Sequence, residues 1–239
     1  MCPMCGRYAT TRSAGDLSAI FEAYDETGGR LGPDHNVAPT DPVPLVRLDA
    51  EGHRALSTGR WGLVPHWATS TAGAARMINA RAETVATSRA YASSFARRRC
   101  LIPADGWYEW VRSPAGRQAY YMTPQDASVL AFAGIWSPRR LPDGGELLTF
   151  SVLTTAAVGE LAEVHDRMPL LLPPERRAAW LAPAEDPAAL LDPPPPGWLA
   201  GLEIRPVGPA VGDVRNDGPG LIERVPLPGE RAAEEMTLF

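Results

Sequence analysis

Leu101-Ile102-Pro103-Ala104-Asp105-Gly106-Trp107-Tyr108-Glu109-Trp110-Val111 is a run of aliphatic and aromatic residues without helical period. Such side chains fit a pleated, half-buried surface, so residues 101–111 read as a strand. The cluster Ser113-Pro114-Ala115-Gly116 turns the chain, and residues 120–122 return as a second strand. On the first strand Trp107 and Glu109 point one way, and Tyr108 and Trp110 the other. A carboxylate flanked by aromatics is desolvated, which lifts its pKa toward the general acid or base range. The same letters also describe an aromatic core strand with a solvated Glu.

Further strands are expected over residues 43–48, 129–136, 147–154 and 202–207. The runs 129–136 and 147–154 are apolar enough to be buried on both faces. Ser13 and Asp16 give a polar start to a short helix carrying Leu17, Ile20 and Phe21. Residues 85–98 read as helix, with Tyr91 and Phe95 four apart. Residues 158–164 form a short helix that delivers His165, and residues 174–181 another, with Pro near its start. Strands and helices do not alternate regularly. This favours an α+β fold: a single domain with a curved, barrel-like, mostly antiparallel sheet flanked by short helices. The Pro-rich stretch at residues 192–197 is a loop within that domain.

A chain of 239 residues, 45% hydrophobic, can bury a sizeable core and is not a disordered segment. It has no run of eighteen apolar residues, so no transmembrane helix is expected, and the opening Met1-Cys2-Pro3-Met4-Cys5 has no signal-peptide core. Cys2, Cys5 and Cys100 are too few for a disulfide scaffold, which favours a reduced, cytoplasmic setting. All 23 basic residues are Arg. Lysine Schiff-base catalysis is thereby excluded, and imine chemistry can use only the α-amine of the N-terminus. The net charge of -5 hides an uneven distribution. Residues 52–140 hold 12 Arg against 4 acids, while both flanks are acidic. A basic middle suits a local phosphate-binding surface.

Four small constellations carry candidate chemistry. Cys2-Pro3-Met4-Cys5 has the C-x-x-C spacing of a redox pair or half a zinc site. No strand can precede it to set up the redox motif, and the remaining ligands are scattered, so no metal site is expected. Asn79-Ala80-Arg81 on an extended segment puts an amide and a guanidinium fork on one face. Glu109 is the carboxylate described above. His165-Asp166-Arg167-Met168-Pro169 sets a proton-transfer group beside an anion binder. Each has a plain structural reading as well.

Taken in order, the blocks are more specific. Cys5-Gly6-Arg7-Tyr8, Asn36-Val37-Ala38-Pro39-Thr40, Trp61-Gly62-Leu63-Val64-Pro65-His66-Trp67, Met77-Ile78-Asn79-Ala80-Arg81-Ala82-Glu83-Thr84, Arg99-Cys100 running into the 101–110 stretch, Thr154-Thr155-Ala156, His165-Asp166-Arg167-Met168-Pro169 and Val214-Arg215-Asn216-Asp217 follow one another along residues 5–225. This series resembles the SRAP (SOS-response-associated peptidase) family. The resemblance implies recognition of abasic sites in single-stranded DNA and covalent capture of them by a cysteine at the mature N-terminus. It implies possible AP-lyase and self-processing activity as well. Carried over by motif, Cys5 is the nucleophile, Glu109 the catalytic carboxylate, His165 the acid/base group, and Asn79 the holder of the N-terminus and substrate. Arg7, Arg81 and Arg167 resemble phosphate-binding arginines, and Trp67 and Trp110 stacking surfaces. Thr154 resembles a substrate contact, and Pro39, Trp61 and Met77 groove formers. No metal or organic cofactor is implied. The expected state is a cytoplasmic monomer, nucleoid-associated when on DNA, with no membrane partner.

The family motif begins Met-Cys-Gly-Arg, whereas Met1-Cys2-Pro3 precedes it here. Residues 1–4 are accordingly read as an extension or propeptide, or a mis-assigned start ahead of Met4. Residues 5–225 are then the domain, and residues 226–239 a tail. Loss of Met1 alone would instead expose Cys2, displaced from Cys5 by roughly 10 Å of extended chain. Two other functions compete with abasic-site capture: a Cys-type peptidase acting on proteins through Cys5, His165 and Asn79, and a non-covalent single-stranded DNA-binding module.

Overall fold

The computed structural model describes residues 5–113, 116–141, 144–183 and 187–227. The expected extension at residues 1–4 lies outside these, as do the centre of the turn after Ser113 and the tail from residue 228.

Among the described residues the strands run, in chain order, β1 (Tyr8–Thr10), β2 (Tyr24–Asp25), β3 (Asp34–Val37), β4 (Pro42–Leu48), β5 (Arg54–Trp61), β6 (Asn79–Arg81), β7 (Arg99–Ala104), β8 (Gly106–Ser113), β9 (Gly116–Pro124), β10 (Leu130–Arg140), β11 (Glu146–Ala156), β12 (Arg167–Pro169) and β13 (Leu202–Val207). The helices are short: α1 (Ala14–Phe21), α2 (Ala82–Val85), α3 (Ala92–Arg97), α4 (Leu161–Val164), α5 (Pro174–Leu181) and α6 (Pro196–Leu199).

Strands β11, β10, β7, β4 and β5 pair in that order, and β5 returns to β11 through a parallel pairing at Arg60–Thr149 and Trp61–Phe150. The ring is a closed five-stranded barrel, which leaves its members no free edge. A second sheet, β13-β9-β8-β1-β3, is antiparallel throughout. Period-two alternation divides the barrel strands between two cores. Leu45, Cys100, Ile102, Phe132, Phe150 and Val152 join Tyr8 and Trp107 of the second sheet. Their neighbours Val46, Leu101, Ala133 and Leu153 pack against Leu17 and Phe21 of α1, Phe95 of α3 and Trp180 of α5. The α+β, barrel-like, single-domain reading is what the chain adopts.

Two local readings are corrected. Residues 101–111 are not one strand: the run divides at Asp105 into β7 of the barrel and β8 of the second sheet. Asp105 pins the crossing by accepting the Thr11 N–H at 2.6 Å and the Thr11 hydroxyl at 2.7 Å. Gly106 permits it, because a Cβ there would lie 2.4 Å from the Met122 carbonyl oxygen. Residues 85–98 are likewise not one helix: α2 ends at Val85, the chain turns over residues 86–91, and only Ala92–Arg97 is helical, as α3. Thr87 and Ser88 lie in that turn, and such side chains compete for backbone groups within a helix. The Thr84 carbonyl accepts from both Thr87 N–H and Ser88 N–H, closing the first helix as a turn. Tyr91 and Phe95 still face inward: Phe95 is buried, and the Tyr91 hydroxyl donates to the Asn79 carbonyl at 3.1 Å.

No helix among the described residues is long and apolar enough to cross a membrane. Nor do they hold any group of three or more His, Cys, Asp or Glu able to bind a metal ion.

Candidate functional site

Antiparallel pairing of β1 with β8 sets Tyr8 against Trp107. The residues just before β1 therefore run alongside β8, and the Tyr108 N–H donates to the Arg7 carbonyl at 3.0 Å. Two residues further back, the Cys5 N–H donates to Glu109 Oε1 at 2.7 Å. Trp107 and Glu109 share the inner face of β8, and both are buried. Burial pushes the Glu109 carboxyl above the usual range, opposed by the hydrogen bonds from Cys5 and the charge of His165. Burial also drives the Cys5 thiol well above the usual thiol range; the Glu109 charge adds to this, and Arg167 opposes it. Cys5 has φ of 43°, a left-handed conformation that a Cβ-bearing residue adopts at a cost of about 1–2 kcal/mol.

The barrel supplies the other wall. Strand β11 runs between β6, parallel, and β12, antiparallel. Its register sets Thr154 opposite Arg81 on one side and Pro169 on the other, with Asn79 opposite Val152 and Arg167 opposite Ala156. The row thus collects Asn79, Arg81, Thr154 and Arg167 from three distant segments. Between buried Ile78 and Ala80, Asn79 is half-buried, and Arg81 beyond them is exposed, as an extended segment requires. The Arg167 guanidinium is already engaged. Its two terminal nitrogens take the Glu83 carboxylate in a bidentate pair, the second at 2.9 Å. The second also donates to the Thr154 carbonyl at 2.6 Å.

His165 follows α4 and precedes β12. Two partners compete for its Nδ1. The Arg167 N–H donates to it at 3.0 Å, while Asp166 Oδ1 lies 2.8 Å away. Both cannot be satisfied at once: a bare Nδ1 accepts from Arg167, and an Nδ1–H donates to Asp166. Nδ1 thus has a partner whether or not it carries a proton, an arrangement suited to proton transfer. Among the described residues no hydrogen bond joins His165 to Cys5.

The remaining sequence candidates separate. Trp67 is 51% exposed, with the Arg89 guanidinium 5.3 Å from its ring centroid. Trp110 lies on the opposite face of β8 from Glu109, beside the core of Tyr108 and Val211. Arg7 is drawn to that same side, donating to Asn36 Oδ1 at 2.7 Å and the Val211 carbonyl at 2.9 Å. Trp61 cannot form a groove surface: it is 1% exposed, and its indole N–H donates to the Ile78 carbonyl at 2.9 Å. Its backbone supports the neighbouring turn instead, accepting the Thr40 N–H next to half-buried Pro39. Met77 is also half-buried and packs against the helical core. Glu83 and Asp166 stand within the motifs, but nothing in their sequence context marks either as part of the site. Glu83 lies 84 positions from Arg167, and no local pattern announces such a pair.

The comparisons with known proteins agree with one another. Residues 4–214 match the family model described as SOS response associated peptidase (SRAP). The abasic site processing protein YoqW of Bacillus subtilis is 33% identical over 92% of this chain and 99% of its own. The abasic site processing protein YedK of Escherichia coli is 31% identical over 93% of this chain and 100% of its own. A crystal structure of a Bacteroides thetaiotaomicron protein superposes with a TM-score of 0.80 over 92% of this chain and 100% of that one, at 22% identity.

Proposed function

Because this chain belongs to the SOS response associated peptidase (SRAP) family, we propose that it processes abasic sites in single-stranded DNA by covalent capture on Cys5. Support comes from relatives named as abasic site processing proteins and from one contact, the Cys5 nitrogen on Glu109 at 2.7 Å. With nothing before Cys5, that nitrogen is an α-amine with an ordinary pKa near 8. A ring-opened abasic sugar presents an aldehyde. The amine adds to the aldehyde carbon, and water leaves to give an imine. The Cys5 sulfur then adds to the imine carbon while the thiol proton passes to nitrogen, closing a five-membered thiazolidine. The net loss is one water.

Glu109, with its carboxyl raised by burial, takes the amine proton and returns one to the departing hydroxyl. His165, whose Nδ1 has both a donor and an acceptor beside it, opens the sugar ring and assists reversal. Asn79 and Arg81 hold the nucleotide and Trp67 stacks on a splayed base, whereas Thr154, expected as a substrate contact, is fully buried and accepts from Arg167 instead. Elimination from the imine would give AP-lyase products.

Release of residues 1–4 belongs to the same reading. Hydrolysis of the Met4–Cys5 peptide puts water's hydroxyl on the Met4 carbonyl and a proton on the Cys5 nitrogen. That nitrogen sits on Glu109, and the left-handed strain at Cys5 is released by the cut. Of the competing readings, a Cys–His peptidase has less support, since the hydrogen bonds of His165 go to Asp166 and Arg167. Blocking the α-amine by acetylation tests the three. A covalent sensor loses its adduct, whereas a peptidase keeps its turnover. A non-covalent binding module still retains intact and abasic strands alike.

A further inference from the structure

The Arg167 fork, which the family motif offers to phosphate, is spent on protein. Glu83 takes both terminal nitrogens, and Thr154 accepts from one of them through its carbonyl. The Arg167 side chain is only 11% exposed, while that of Glu83 is 50% exposed. Nε of Arg167 is buried and has no hydrogen-bond partner among the described residues. A buried N–H without an acceptor is costly, so an acceptor is expected there in the working state. Arg167 also lies close enough to Cys5 for its charge to act on the thiol.

We propose that Glu83 is a positioning residue: by holding the terminal nitrogens of Arg167, it presents the buried Nε–H to an oxygen of the abasic nucleotide beside Cys5. The inference rests on the covalent-capture reading for its substrate. The Glu83 charge cancels that of Arg167, so this arginine contributes geometry at the reacting sugar rather than counterion release along the strand. The rival arrangement is a surrogate phosphate, in which Glu83 occupies the fork only until DNA displaces it.

The test is Glu83→Gln, Arg167→Met and the double variant, in single-turnover adduct formation on an abasic single strand across a salt series. If Glu83 acts through Arg167, the saturating rate of Glu83→Gln falls on the order of tenfold to a hundredfold, as for a misplaced group. The half-saturating protein concentration and its salt slope stay as in the wild type, and the double variant is no slower than Arg167→Met. An unchanged rate overturns the proposal. So does tighter binding with a salt slope steeper by about 0.7, the mark of a phosphate newly admitted to the fork.

If the wild type forms no adduct, the capture reading fails on its own. The pH dependence of Cys5 alkylation by iodoacetamide, mapped by mass spectrometry, then judges Glu83 without DNA. A released Arg167 moves away, and the thiol midpoint rises by about half a pH unit or more. An unshifted or lowered midpoint means that Arg167 keeps its place without Glu83, which overturns the proposal.

Discussion

Replacing Glu109 with Gln removes one charge and little else. The side chain is 4% exposed and packs on the inner face of β8, so the isosteric amide preserves volume. Its oxygen can still accept the Cys5 N–H now bonded at 2.7 Å. What is lost is charge. A hydrogen bond to an ionised acceptor contributes about 1.5–3 kcal/mol against about 0.5–1.5 for a neutral one. Weaker placement of the amine therefore costs about 1–1.5 kcal/mol, roughly tenfold in rate. Loss of the proton acceptor costs a further factor of about 10² to 10³. The expected fall in adduct formation is about 10³- to 10⁴-fold. Affinity should change little, since a buried carboxylate behind Cys5 does not face phosphate. The assay is single-turnover crosslinking on a denaturing gel, paired with anisotropy on a strand carrying a tetrahydrofuran analogue that cannot open to an aldehyde. A rate within about threefold of wild type would refute the role, as would a loss of affinity equal to the loss of rate. Cys5 alkylation supplies an internal check: the Glu109 charge raises the thiol, so Glu109→Gln should lower the alkylation midpoint.

Other perturbations separate chemistry from support. Glu109 is held above its ordinary pKa in the folded chain, so the native state binds more protons than the unfolded one between those two values. Stability therefore falls as pH rises through that window. Glu109→Gln should melt higher than wild type at neutral pH, and the gap should close toward pH 4; a gap that widens on acidification contradicts this. Trp67→Ala should retain the fold yet weaken strand binding by about 1–3 kcal/mol. Trp61→Ala should instead cost about 3–5 kcal/mol of stability, read by denaturant titration. Equal effects on stability would place Trp67 in the core. His165→Ala should slow both adduct formation and release from single-stranded DNA; wild-type rates for both would make His165 structural.

Much of the architecture was legible because burial writes itself into local pattern. The apolar runs 129–136 and 147–154 became β10 and β11, and Ser13 caps α1, accepting the Asp16 N–H at 3.1 Å. Alternation along 107–110 separated Trp107 and Glu109 from Tyr108 and Trp110, but left open whether Glu109 is buried or solvated, since both faces of β8 carry aromatic cores. Barrel closure was not legible, since it depends on a parallel pairing of residues 60 and 61 with 149 and 150 that no spacing encodes. The break at Asp105 was hidden as well: strand propensity continues through it, and only the bonds from Thr11 show why the chain changes sheets. At the site, residue types gave the chemistry, and the family motif gave the membership. Whether an arginine is free or engaged was beyond either. Arg7 and Arg167 read identically as phosphate forks, yet both are committed to protein acceptors.

The central claim is that the Cys5 nitrogen and sulfur together form the bond to DNA. It is tested by incubating the protein with an abasic single strand, digesting both, and sequencing the nucleotide-bearing peptide by mass spectrometry. The account predicts a peptide whose first residue is Cys5, with a mass one water below the sum of its parts and the sugar carbon joined to both N and Sγ. An adduct beginning at Cys2, or one that forms unchanged when the α-amine is acetylated, would contradict it.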